Sequence, residues 1–166
     1  MQQIFGLQNP IVKMAFSLQQ KKNRQKTGMF LIEGFKGVED ALNYGLEITH
    51  IFLNSSHKEK ILYYPKNLIY LVDDKILKKI STTDTPPEIL AIAKQFKYSI
   101  KDLFKDKNPL IIVLENIKDP GNLGTVIRTS KAANASGIIL TGDTTDLFNP
   151  KTVRSAAANL WKIPVI

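Results

Sequence analysis

Cysteine is absent from these 166 residues. That excludes disulfides, thiol nucleophiles and thiolate metal sites, and it suits a reducing compartment. Histidine is scarce: His50 and His57 are the whole supply. They lack the three or four convergent ligands that a divalent site needs, so no metal is expected. No apolar run approaches the roughly 20 residues needed to span a bilayer. The start, "MQQIFGLQNP", lacks the basic and apolar regions of a signal peptide. A cytoplasmic protein with no membrane partner is expected. Acids are missing from one end as well: none precedes Glu33, whereas Lys13, Lys21, Lys22, Arg24 and Lys26 all lie before it. Within a net charge of +8, that segment reads equally well as a footprint for a phosphate backbone or as a solvated helix face.

What is present is 43% hydrophobic, enough for one large domain or two small ones. "NPIVKMAFSLQQKKNRQ" predicts one helix, with Asn9 as N-cap, Pro10 in the first position and Ile11, Met14 and Leu18 at helical spacing. Thr27-Gly28 ends it. Strand "MFLIEG", helix "KGVEDALNYG", strand "ITHIFLN", helix "HKEKILYYP", strand "NLIYLVD", helix "DKILKKIS" and strand "EILAIAKQF" follow. This alternation predicts a three-layer α/β/α domain over residues 1–94. The lysine-rich "KYSIKDLFKDKN" reads as a linker, residues 95–108. A second α/β unit with a mainly parallel sheet is expected over 109–166: strand 110–115, helix 122–135, strand 137–141, helix 151–160, and a last strand begun by "KIPVI". So small an open sheet leaves its edges and one face exposed, and this unit is expected to be incomplete.

Between the strand and helix of that second unit lies "ENIKDPGNLGTVIRTS". It matches neither the dinucleotide fingerprint nor the P-loop. Gly121 and Gly124 suggest close approach of backbone N–H groups to an anion at a helix start. Asp119 or Asn122 as an ordinary helix cap explains part of the same pattern. Arg128 lies about 9 Å further along the axis, and its side chain leans back toward the loop, where it can meet a phosphate bidentately. An anion site and an ordinary strand-loop-helix both remain open on these residues.

The stretch resembles the first motif of the SpoU-type RNA 2′-O-ribose methyltransferases of the SPOUT superfamily, through Asn116, Asp119, Pro120, Asn122, Gly124, Arg128 and Gly137. "NPKTVRSAAANLWKIPV" resembles the next conserved segment, through Asn149, Pro150, Lys151, Arg154, Leu160, Pro164 and Val165. The first 94 residues are similar to the L30e-like substrate-binding domain often fused before the catalytic one. The resemblance implies methyl transfer from S-adenosylmethionine to a ribose 2′-hydroxyl of ribosomal or transfer RNA, and a homodimer in the full-length protein.

It also implies roles for single residues. Arg128 and Asn122 are the catalytic candidates. Arg128 would hold the adjacent phosphate and the developing alkoxide, since neutralising a guanidinium at pH 7 costs roughly 7 kcal/mol. Asn122 would orient Arg128 or the ribose. Lys13, Lys21, Lys22, Arg24, Lys151 and Arg154 are the RNA contacts, and Trp161 is expected in the core. Two departures qualify this. Ala156 and Ala158 stand where the family usually has Ser and then Gly, with Ser155 one place early. The family's C-terminal motifs, which form its knot and most of its cofactor pocket, are absent. The cofactor residues are therefore expected beyond Ile166, the knot is not completed, and this chain alone is expected to be inactive. A non-catalytic RNA-binding module is the alternative, and a small phosphate- or nucleotide-binding protein a weaker third.

Overall fold

The computed structural model describes every residue except Met1 and Phe5. The chain forms two compact units, Met1–Lys94 and Gln95–Ile166. In the first, the strands are β1 (Gln2–Gln3), β2 (Met29–Glu33), β3 (Ile48–Asn54), β4 (Ile69–Val72) and β5 (Ile89–Lys94). They lie in the order β1-β4-β3-β5-β2. β4 is parallel to β1 and β3, whereas β5 is antiparallel to β3 and β2. Helices α1 (Pro10–Ser17), α2 (Lys21–Thr27), α3 (Phe35–Tyr44) and α4 (Asp74–Ile80) complete the unit.

Both faces of this sheet are covered, which is why its strands read as unbroken apolar runs. On one face Leu31, Phe52, Leu90 and Ile92 pack with Val12, Ala15 and Leu18 and with Ile76, Leu77 and Ile80 of α4. On the other, α3 buries Val38 and Ala41. Gly37 brings that helix so close that a Cβ there would stand 3.1 Å from the Ile32 side chain. The result is the three-layer arrangement expected.

Two helices of the first unit differ from expectation. The single helix read through residues 9–27 is broken, because Gln20 adopts extended backbone (φ −94°, ψ 133°). Arg24 fills the break: Nη1 donates to the carbonyls of Leu18 and Gln19, 2.8 Å each. The break also shifts the inward stripe to Val12, Ala15 and Leu18, leaving Ile11 and Met14 half-buried. The segment read as helix "HKEKILYYP" forms 3-10 turns over Ser55–Tyr63, kinked at His57 and capped by the Asn54 side chain on the Ser56 N–H.

The second unit holds β6 (Ile111–Glu115), α5 (Pro120–Ala132), β7 (Gly137–Thr141) and α6 (Pro150–Ser155). β6 and β7 are parallel, and Val165 bridges to Ile138 in the same sense. Asp119 caps α5 with Pro120 in the first position, so the helix starts two residues earlier than read. α6 stops at Ser155 instead of running to 160, because Ala157 (φ 46°) and Ala158 (φ 62°) turn left-handed. Residues 95–108 are not an open tether. They carry a 3-10 helix, Ile100–Phe104, with a Ser99–Asp102 capping box and a fully buried Leu103. Leu103 packs where a Cβ on Gly137 would stand 2.2 Å from its Cδ2. Among the described residues no helix is long and apolar enough to cross a membrane.

Candidate functional site

Parallel strands joined through a helix deliver their loops to one end, outside the C-terminal ends of the strands. Here the loops after β6 and β7 close on each other. Asn116 sits in the left-handed region (φ 55°), and its N–H donates to the Thr141 carbonyl at 3.0 Å. Its Oδ1 accepts from the Asp143 N–H at 2.9 Å. Gly142 (φ 66°) makes this possible, since a Cβ there would stand 2.3 Å from that same Oδ1. Thr145 N–H donates to the Ile117 carbonyl at 2.9 Å, and Lys118 is ion-paired with Asp143.

Asp119 joins the starts of the two helices. Oδ1 accepts from the Asn122 N–H at 2.8 Å, and Oδ2 accepts from Lys151 Nζ at 2.9 Å. The Lys151 hydrogen bond first, then the Asn122 N–H, holds its carboxyl below the ordinary 3.8. Asn149 caps α6 in turn, accepting from the Lys151 N–H at 2.9 Å.

The two glycines serve this seam. A Cβ on Gly124 would lie 2.5 Å from the Thr152 carbonyl oxygen and 2.6 Å from Ser155 Cβ. One on Gly121 would meet Asp119 Oδ1 at 2.8 Å and Lys151 Cε at 3.0 Å. Of the two readings left open for these glycines, an anion site and an ordinary strand-loop-helix, the structure favours the second, since they let α5 and α6 touch.

The expected site residues divide into groups. Asn122 and Arg128 are both exposed on α5. They stand about 120° apart around the helix axis, and no hydrogen bond joins them among the described residues. Lys151 is held by Asp119, and Arg154 is exposed in the last turn of α6. In the first unit Lys13 is exposed on α1, and Lys21 and Lys22 are exposed at the start of α2. Arg24 does not stand with them. It is 1% exposed, spent on the carbonyls of the helix break. The Asp119–Lys151 pair and the Asn116–Gly142 lock were missed. A signal existed for the first: "DPG" and "NPK" are two similar Asx-Pro helix starts.

Known proteins agree with this layout. Residues 9–91 match the MRM3-like substrate binding domain, and residues 109–166 match the SpoU rRNA Methylase family. An uncharacterized tRNA/rRNA methyltransferase of Synechocystis is 34% identical over 97% of this chain and 60% of its own length. The 23S rRNA (guanosine(2553)-2′-O)-methyltransferase RlmP of Bacillus subtilis is 33% identical over 100% of this chain and 65% of its own. The crystal structure of an AdoMet-bound rRNA methyltransferase from Sinorhizobium meliloti superposes with a TM-score of 0.87 at 37% identity, covering 98% of this chain and 63% of that one. The chain thus spans between 60% and 65% of the length of these relatives.

Proposed function

Since the chain belongs to the SpoU rRNA methylase family and carries an MRM3-like substrate-binding domain ahead of that part, we propose that it serves methyl transfer from S-adenosylmethionine to a ribose 2′-hydroxyl of ribosomal RNA. The observation that carries this reading is Arg128, a fixed cation exposed on α5 beyond the locked helix starts. The Bacillus relative, named for a 2′-O-methylation of 23S rRNA, and the AdoMet-bound relative support the substrate and the donor.

In this reading residues 1–94 hold the RNA and residues 109–166 carry the chemistry. Arg128 grips the phosphate next to the reacting ribose with its two-pronged fork, and stabilises the charge that develops on the 2′-oxygen. Asn122 contacts the ribose. Lys151 and Arg154 meet the RNA backbone, the former from a position fixed by Asp119. Lys13, Lys21 and Lys22 supply the electrostatic footprint. Lys21 and Lys22 occupy the first turn of α2, where positive charge opposes the helix dipole, a placement that ligand binding explains better than stability does. A homodimer and a cytoplasmic location complete the reading on family resemblance, and light scattering and fractionation test them.

A non-catalytic RNA-binding module is the second reading. It is favoured by the two loop glycines, whose places are taken up by contacts between α5 and α6 and not by a ligand. Two measurements separate the readings: calorimetric titration with S-adenosylmethionine, and transfer of labelled methyl to ribosomal RNA, with the site located by alkali resistance of the adjacent phosphodiester. Donor binding and label transfer are expected of the full-length protein, and neither of this chain alone. Arg128→Ala should lower transfer by about 10²–10³-fold, the scale for removing one preorganised charge-stabilising donor, without changing the unfolding midpoint. RNA binding by the full-length protein with neither heat nor label would establish the second reading instead.

A further inference from the structure

The first unit carries a second surface that the lysines of α1 and α2 do not explain. A groove of about 520 Å³ runs between α3 and the 3-10 segment, lined by Glu39, Leu42, Asn43, Lys60 and Tyr63. Tyr63 is 77% exposed and its neighbour Leu62 80%. Two large side chains this exposed and side by side form an apolar patch of the kind that marks a recognition surface.

The groove is built as well as exposed. Lys60 Nζ lies 3.6 Å from the centre of the Phe35 ring, a cation held over an aromatic face. Phe35 is in turn braced edge-on by His57, at 5.8 Å between ring centres, and His57 Nε2 lies 3.1 Å from Glu88. Glu39 Oε1 accepts from the Tyr64 hydroxyl at 3.0 Å. Burial first, and then that bond, pushes the Tyr64 hydroxyl up, so it remains a donor and fixes the Glu39 carboxylate at the groove. Lys58 and Lys66 line a second pocket along the same stretch, with Glu59, Ile61 and Leu62.

An exposed ring, an apolar floor from Leu42, a positioned cation and the hydrogen-bonding edges of Asn43 and Glu39 form the combination that binds an unstacked nucleobase. We propose that this groove takes one unpaired base of the RNA substrate, stacked on Tyr63 with its neighbouring phosphate on Lys60. The proposal rests on the reading that the chain acts on RNA. It adds a contact on the α3 side of the sheet, opposite the face covered by α1 and its Lys13. The Glu39 carboxylate only accepts hydrogen bonds, so bases bearing an amino group (guanine, adenine, cytosine) are preferred over uracil, which offers a single N–H.

The test is fluorescence anisotropy of the whole chain with two RNA probes, a hairpin bearing an unpaired loop and a blunt duplex of the same stem. Tyr63→Ala should weaken hairpin binding by about 5–150-fold, the range measured for one base–aromatic stack. Tyr63→Phe should keep it, and duplex binding should be unchanged. The salt slope should also be unchanged in Tyr63→Ala, because no phosphate contact is lost, whereas Lys13→Glu/Lys21→Glu/Lys22→Glu should flatten it. A loop of uracils should bind more weakly than one of cytosines. If the lysine reversal weakens binding and Tyr63→Ala does not, the groove is not an RNA site, while the RNA reading stands. If the unaltered chain binds neither probe, both fall.

Discussion

β5 and β6 are apolar strands of six and five residues, and their surroundings differ sharply. β5 lies between β3 and β2, and Ile89 to Ala93 are all fully buried. β6 has β7 on one side only, and its Val113 is 62% exposed. Apolar content does not set burial; neighbours do. The first unit is therefore stabilised mainly through its sheet, and the second through the seam between α5 and α6. The sharpest test of this contrast is a pair of truncations. Phe52→Ala should cost about 3–5 kcal/mol, whereas Val113→Ala should stay within about 0.5 kcal/mol. Urea unfolding followed by circular dichroism measures both, and similar losses would break the comparison.

The seam itself is tested by Gly124→Ala. The added methyl meets backbone, the Thr152 carbonyl oxygen, at 2.5 Å, so neither helix can give way through a side chain. A loss of about 1–3 kcal/mol is expected from such overpacking. Trp161 is the only tryptophan and is 1% exposed in the second unit, so its fluorescence follows that unit. An unmoved midpoint would mean that the seam holds little of the second unit's stability.

A smaller effect concerns acid. The Asp119 carboxyl is held below 3.8, above all by Lys151. A depressed pKa stabilises the folded state fully above the unfolded value, and that contribution is lost as the pH falls through the folded one. The Trp161 transition should therefore weaken below about pH 4, and Asp119→Asn should flatten that limb. An acid limb that is identical in the variant would place the loss in other carboxylates.

Much of this molecule was legible because it follows from period and punctuation. Asn9-Pro10, Asp119-Pro120 and Asn149-Pro150 each announce a helix start: Asn9 caps as expected, Asp119 and not Asn122 caps α5, and Asn149 caps α6, which was not foreseen. What was not legible depends on distant partners. Arg24 looks like one more surface cation, and only the helix break, which it fills with two carbonyl bonds, buries it. Gly121 and Gly124 look like ligand glycines, because a sequence shows the missing side chain and not the helix occupying its place. The short β1, Gln2–Gln3, gives no apolar signal and exists by pairing with β4.

The smallest expected effect lies at the end of α6. Ala158 is 7% exposed and left-handed, at φ 62°, in the place where the SpoU pattern usually has glycine. That backbone costs an alanine about 1–2 kcal/mol, whereas glycine adopts it freely but loses about 0.5–1 kcal/mol more in chain entropy on folding. Ala158→Gly should therefore stabilise the second unit by about 0.5 kcal/mol, a small rise in the thermal midpoint read by Trp161. A fall would mean that the buried methyl contributes more through packing than the strained backbone costs. The turn after α6 would then belong with β5, as a place where neighbours outweigh local preference.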